Sequence, residues 1–180
     1  MIDPADDNNS STFACAQAIK KKIEEQYKNV RIILTHTMQE SVEPLHKAQF
    51  ANQLAVDFYL SINFYQERAP RSSVYLYYFL YNPITDRFAR SKNLFFYPYD
   101  QAHLISLTTT STWADMIKNN LTQEHAFEIK GPFGIPFKSL IGITTPALAL
   151  EAGIKNKGDW NLYVEPIVKS LELIITLVQS

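Results

Sequence analysis

The stretch DFYLSINFYQE, residues 57–67, decides the fold that the sequence predicts. Residues 57–62 are mostly apolar and aromatic, which is typical of a buried strand. Asn63 follows them directly, and active-site side chains collect at the carboxyl ends of the strands in a parallel sheet. We therefore expect Asn63 to lie in a functional cleft. An asparagine is a poor metal ligand and neither an acid nor a base, so its neighbours must decide what the cleft does.

Helices and strands alternate on both sides of this stretch. Apolar residues at spacings of three and four predict helices at 10–27, 43–56, 110–121 and from 159 onward. Short β-branched or aromatic runs predict strands at 30–35, 57–62, 72–81 and 146–153. Two stretches lack a clear period and predict an irregular insertion at 82–107, with a short strand at 94–97, and a turn-rich connection at 131–142. This order predicts a single α/β domain over residues 1–180, with three layers: a mostly parallel, twisted sheet covered by helices on both faces.

Composition excludes several classes of protein. The net charge of −1 argues against a nucleic-acid partner, because phosphate binding requires a basic surplus. The single cysteine, Cys15, excludes internal disulfides and thiolate metal sites, and its place in the first predicted helix indicates a buried, inert thiol. The longest apolar run, LELIITLV near the C-terminus, is too short to cross a bilayer, so we expect no transmembrane segment in this chain.

Four motifs recur in an order and spacing that point to one family. They are IDPADDN (2–8), LTHTMQESVEPLHKAQFAN (34–52), DFYLSINFY (57–65) and TPALALEAGIKN (145–156). The set resembles the zinc-dependent N-acetylmuramoyl-L-alanine amidases, whose pattern is IDPGHGG, TRxxDxxxxLxxRxxxAN, DLFxSIHAN and PAxLxExGFxxN. Members of that family cut the bond that joins glycan to stem peptide in bacterial peptidoglycan. The resemblance implies an amidase-like fold over nearly the whole chain.

The zinc ligands of the family are the part of the pattern that this chain lacks. In the family two histidines and one glutamate hold zinc, and a second glutamate near the C-terminus is the general acid/base. Asp6 and Asn63 stand at the two histidine positions. The ligand glutamate that opens the first helix has no counterpart, since the first glutamate of the chain is Glu24. Glu151 alone matches, at the position of the general acid/base.

The second motif implies one further residue of the cleft. Lys47 keeps the charge of the family's later arginine, whereas the early arginine and aspartate are replaced by His36 and Gln39. The resemblance therefore implies a cleft formed by Asp6, Lys47, Asn63 and Glu151.

This ligand set does not suit catalytic zinc. Such a site needs three good protein ligands and an open position for water. Two oxygen ligands, from Asp6 and Asn63, would suit magnesium or calcium better than zinc. Without a metal to lower the pKa of water, Glu151 has no activated nucleophile to serve. We therefore expect no zinc, no cofactor and no hydrolysis: Glu151 is a vestigial general acid/base, or equally a residue with a structural hydrogen bond. Asp6 lies either in a solvated turn or at a weak cation site.

Other candidate residues have structural interpretations. The four histidines show no metal-ligand spacing and are expected at the surface or in packing contacts; they are His36, His46, His103 and His125. Ser61 lacks the GxSxG turn of a serine hydrolase. The aromatic segment 91–101 predicts the cover of a sheet edge rather than a ligand-binding wall.

The sequence thus favours a catalytically degenerate, amidase-like domain that acts as a peptidoglycan-binding or protein-scaffolding module in the bacterial periplasm or cell envelope. Its expected partners are peptidoglycan or envelope proteins. One alternative is a divergent but active metal-dependent amidase with an unrecognised ligand near residues 5–12. Another is a structural part of an envelope or secretion assembly, which binds proteins through its aromatic-rich region at 64–104.

Overall fold

The described residues form a five-stranded sheet at the centre of the protein, with the strand order β1-β2-β5-β3-β4. A computed structural model describes residues 1–4, 10–38, 40–81, 98–123 and 127–179. The strands are β1 (Ile2–Pro4), β2 (Tyr59–Gln66), β3 (Ser73–Phe79), β4 (Glu128–Ile135) and β5 (Ala147–Ile154). The pairs β1–β2, β2–β5 and β3–β4 are parallel, and β3 runs antiparallel to β5. The predicted mostly parallel sheet is confirmed.

Helices cover both faces of this sheet. They are α1 (Ser10–Gln26), α2 (Pro44–Gln53), α3 (Leu107–Gln123) and α4 (Asn161–Gln179). Helix α4 contacts both α1 and α3 on one face, while α2 contacts a short 3-10 helix, Lys138–Leu140, on the other. The larger hydrophobic core lies under α1, α3 and α4, and a smaller one lies under α2. The three-layer α/β architecture predicted from the sequence is confirmed. No helix among the described residues is both long enough and apolar enough to span a bilayer.

The predicted strand at 30–35 is wrong as a separate strand. Within this segment only Leu34 forms a bridge, to Ile2 of β1. The Ile2 amide donates to the Ile33 carbonyl at 2.8 Å, and the Thr35 amide donates to the Ile2 carbonyl at 3.1 Å. Because β1 is only three residues long, it offers the segment too few partners to continue the ladder.

The predicted turn-rich connection at 131–142 is wrong over residues 131–135, which belong to β4. The register of β3 against β4 shifts between Tyr75 and Tyr77, and Gly131 lies opposite this shift with a φ of 101°. Glycine and proline interrupt the strand pattern, and both are tolerated because β4 is an outer strand of the sheet.

The remaining boundaries differ by a few residues. Strand β2 continues to Gln66 and β5 to Ile154, so Asn63 and Glu151 lie within their strands rather than at the ends. Phe64 is buried beyond the half-buried Asn63, so β2 still contributes a core contact past its predicted end. Most of the predicted insertion at 82–107, with the short strand at 94–97, lies outside the described residues. Its described end contains a 3-10 helix, Ala102–Ile105.

The thiol of Cys15 should be unreactive in the folded protein. Cys15 has none of its surface exposed, and burial raises the pKa of its thiol to about 12. At pH 8 only about one thiol in 10⁴ would be the reactive thiolate. We expect iodoacetamide to alkylate Cys15 in guanidinium chloride but not in native buffer, as read by intact mass. Complete alkylation of the native protein within minutes would contradict this expectation.

Candidate functional site

Strand alternation places a polar row on the α2 face of the sheet. In β2 the residues Leu60, Ile62 and Phe64 enter the larger core, so Ser61 and Asn63 point to the opposite face. Asn63 is paired in register with Glu151 of β5. Glu151 is paired in turn with Tyr75 of β3, and Tyr75 with Lys130 of β4. Four polar side chains therefore cross four neighbouring strands in one line.

A buried ion pair lies at the β1 end of this face. Lys47 Nζ is 2.8 Å from Asp3 Oδ1, and the two side chains are only 4% and 1% exposed. Asp3 also accepts hydrogen bonds from Thr35 Oγ1 at 2.7 Å and from Ser61 Oγ at 3.3 Å. His36 Nδ1 lies 2.8 Å from Thr35 Oγ1, which completes the network. Lys47 and Ser61 therefore serve first to hold the Asp3 carboxylate in place.

An open cleft of about 360 Å³ lies above these residues. Its floor comes from the strands and consists of Asp3, Ser61, Asn63 and Glu151. Its walls come from residues 41–44 with Lys47 on one side, and from residues 137–139 on the other. The volume is within the range of small-molecule sites in proteins. The resemblance grouped Lys47, Asn63 and Glu151, and the structure brings these three together; Asp6 lies outside the described residues.

Two neutral polar groups lie against the Glu151 carboxylate. Asn63 Nδ2 donates to Glu151 Oε1 at 3.3 Å, and the Tyr77 hydroxyl is close enough to feel the charge of Glu151. Burial, together with the negative charge of Glu151, raises the pKa of Tyr77 to about 12, so this hydroxyl keeps its proton at neutral pH. Tyr77 stacks on Phe137 with ring centroids 4.7 Å apart, which fixes the ring against the wall of the cleft.

The described cleft residues do not form a zinc site. No group of three or more His, Cys, Asp or Glu residues suited to a metal occurs in the part of the chain that the structure describes. The Asn63 amide directs its nitrogen, which cannot ligate, toward Glu151. Asp3 is engaged by Lys47. Beside Asn63 the donor set is the Glu151 carboxylate and an amide, and catalytic zinc requires three ligands.

None of the described histidines is among the residues that line this cleft. His103 is buried, packs on Phe79 with ring centroids 4.9 Å apart, and burial lowers the pKa of its imidazole. His46 is exposed on α2. His36 belongs to the Asp3 network, and His125 lies outside the described residues, as does Gln39. The packing or surface positions predicted for His46 and His103 are confirmed.

Sequence reasoning missed Asp3, Tyr77 and Phe137 as parts of the site. One signal for Asp3 was available: Lys47 lies on the same helical face as Ala48 and Ala51, and a lysine on an apolar face needs a buried carboxylate. No comparable signal existed for Tyr77, because its neighbour Glu151 lies on a strand distant in sequence. Of the predicted aromatic segment 91–101, only residues 98–101 are described, and Tyr99 there is exposed.

Known proteins match this chain in structure and not in sequence. No protein-family model matches it, and no curated protein sequence does so. The solved amidase AmiC2 of Nostoc punctiforme is 15% identical with a TM-score of 0.68, over 99% of this chain and 96% of that chain. The fold is that of the N-acetylmuramoyl-L-alanine amidases.

Two further amidase structures agree with the first. The catalytic domain of CwlV from Bacillus (Paenibacillus) polymyxa var. colistinus is 14% identical with a TM-score of 0.65, over 97% of this chain and 96% of that chain. The amidase from Clostridium difficile 630 is 14% identical with a TM-score of 0.63, over 97% and 95%. At such identities the likeness establishes the amidase fold, which confirms the fold implied by the sequence motifs.

Proposed function

We propose that this chain is a catalytically degenerate amidase-like domain that binds peptidoglycan in the cleft over Asn63 and Glu151. The proposal includes a place in the bacterial periplasm or cell envelope, where peptidoglycan lies. It rests on the amidase fold together with one observation: an amide nitrogen contacts Glu151 where the resemblance implies a zinc-bound histidine.

Glu151 is better placed to hold the cleft together than to transfer protons. A general base must reach a water that a metal or another group has activated. The carboxylate of Glu151 instead accepts a hydrogen bond from Asn63 of the neighbouring strand β2. Tyr77 of β3, on the other side of β5, lies near the same carboxylate, so Glu151 joins the polar side chains of three adjacent strands on the α2 face.

The purified protein should contain no stoichiometric zinc and release no peptide from muropeptides. The physical reason is the ligand set: no imidazole lines the cleft as described, and its carboxylates do not form a group of three suited to a metal. Metal content would be measured by mass spectrometry after incubation with zinc and gel filtration, and peptide release by chromatography, with an active amidase assayed alongside.

The active-amidase alternative makes the opposite prediction for the same assay. Zinc-dependent peptide release that is lost in Glu151→Ala would overturn the degenerate assignment. A control substitution, Glu128→Gln, alters a carboxylate of the same sheet that pairs with Lys130 at 3.3 Å, and it should leave any such activity unchanged.

Binding to peptidoglycan distinguishes a peptidoglycan-binding module from a structural subunit of an envelope assembly. We expect the pure protein to sediment with isolated peptidoglycan sacculi and soluble muropeptides to release it. If it stays in the supernatant with sacculi but is retained by envelope proteins, the scaffolding alternative replaces peptidoglycan binding. The aromatic residues Tyr65, Tyr75 and Tyr77, whose rings follow one another on β2 and β3, would then be the first surface to substitute.

A further inference from the structure

We propose that the cleft binds a primary ammonium group on an aliphatic chain, such as the side chain of a lysine or another diamino acid, at Glu151 and Asn63. The inference rests on the proposed function, since it names the part of a peptidoglycan peptide that the cleft would recognise.

The first argument is charge. Among the residues that line the cleft are three carboxylates and two lysines. Lys47 is already paired with Asp3 in the buried network. Among the described residues Glu151 forms no ion pair with a lysine, arginine or histidine, and the donor to it there is the neutral Asn63 amide. A half-buried carboxylate with only a neutral donor favours the approach of an external cation.

The second argument is hydrogen bonding. The Oδ1 atom of Asn63 is buried and has no hydrogen-bond partner among the described residues, and Ser139 Oγ in the opposite wall is in the same state. Buried acceptors are rarely left unpaired. An ammonium group carries three N–H donors and no acceptor, which complements a carboxylate and an amide oxygen.

The third argument is shape. The walls of the cleft include the apolar side chains of Val42, Pro44 and Phe137, while its floor is polar. A ligand with a methylene chain and a terminal ammonium matches this division, because the chain can lie along the apolar wall. A free ammonium ion has no methylene chain and would make no contact with the apolar wall.

A divalent metal ion fits the same floor less well. Magnesium takes about six oxygen ligands and calcium about six to eight. No group of three or more His, Cys, Asp or Glu residues suited to a metal occurs among the described residues. An ammonium group is satisfied by three acceptors, so the donor set favours a hydrogen-bonding cation over a coordinated one.

The test is a titration of the full chain with Nα-acetyl-lysine N-methylamide, followed by NMR of the backbone and asparagine side-chain amides. We expect saturable shifts centred on Asn63 and residues 150–152. The Nε-acetylated compound, which lacks the charge, should bind at least about tenfold more weakly. The charged probe, Nα-acetyl-lysine N-methylamide, should likewise bind Glu151→Gln at least about tenfold more weakly than it binds the unaltered protein. Glu128→Gln, outside the cleft, should bind like the unaltered protein.

Each contrary outcome has a definite meaning. Equal binding of the charged and acetylated compounds, or full binding by a folded Glu151→Gln, overturns the proposal. Shifts at the same residues with magnesium but not with the amine also overturn it. Sacculi with acetylated amines separate the two proposals: if they are bound as well as untreated sacculi, the ammonium site is wrong and peptidoglycan binding stands. If the amine probe binds but sacculi do not, peptidoglycan binding is wrong and the ammonium site stands.

Discussion

Replacing Lys47 with methionine should lower the free energy of unfolding by about 3–5 kcal/mol. The substitution keeps the aliphatic stem and removes the ammonium that lies 2.8 Å from the Asp3 carboxylate. Both side chains are almost fully buried, so the Asp3 charge would remain with Thr35 and Ser61 as its only hydrogen-bond donors among the contacts described. Urea unfolding followed by circular dichroism measures the loss.

A double variant tests whether the loss comes from the unpaired charge. Asp3→Asn combined with Lys47→Met removes both charges and should be more stable than Lys47→Met alone. The matched surface control is Lys21→Met, whose nearest carboxylate on Glu25 is 4.0 Å away and which should change stability by less than about 0.5 kcal/mol. If the loss in the double variant equals the sum of the losses in Asp3→Asn and Lys47→Met measured singly, the two charges are not coupled.

Gly131→Ala should destabilise the protein by about 3 kcal/mol or more, through backbone strain and a direct clash. Gly131 has a φ of 101°, and a Cβ built there would lie 2.5 Å from the backbone oxygen of Leu76. Leu76 belongs to β3, so relief of the clash requires β3 and β4 to move apart at their bulge. The free energy of unfolding in urea, compared with the unaltered chain, measures the effect.

The chain offers a glycine that should tolerate the same change. A Cβ at Gly158 would meet nothing within 4 Å, and the exposed turn there should accept alanine with a change of less than about 1 kcal/mol of either sign. Similar losses at Gly131 and Gly158 would show that the close approach at Leu76 does not govern stability.

The large elements were predictable because their patterns are local. The apolar spacing of α1 and α4 and the β-branched or aromatic runs of β2, β3 and β5 each lie within one short segment. Strand β4 was not predictable over residues 131–135, since these contain the glycine and proline that normally mark a turn. Only its outer position beside β3 makes those residues acceptable. The segment at 30–35 failed for the opposite reason: its composition suits a strand, but β1 is too short to pair with more of it.

The cleft was predictable only in part. Motif spacing grouped Lys47, Asn63 and Glu151, and parallel pairing of β2 with β5 places Asn63 beside Glu151. The position of Tyr77 near Glu151 was not predictable, since Tyr77 lies on β3, which runs antiparallel to β5. The same holds for Phe137, which stacks on Tyr77 from a loop that no periodic pattern marks.

The sequence by itself determined the α/β architecture, the order of its motifs and the presence of Asn63 where a zinc-binding histidine is expected, because local patterns and residue identity are enough for these. Only the tertiary structure decided what Asn63 contacts. Its amide nitrogen meets Glu151 and its oxygen is left without a partner among the described residues. The direction of a side-chain amide depends on donors and acceptors that arrive from other strands, and those are set by the register of the sheet.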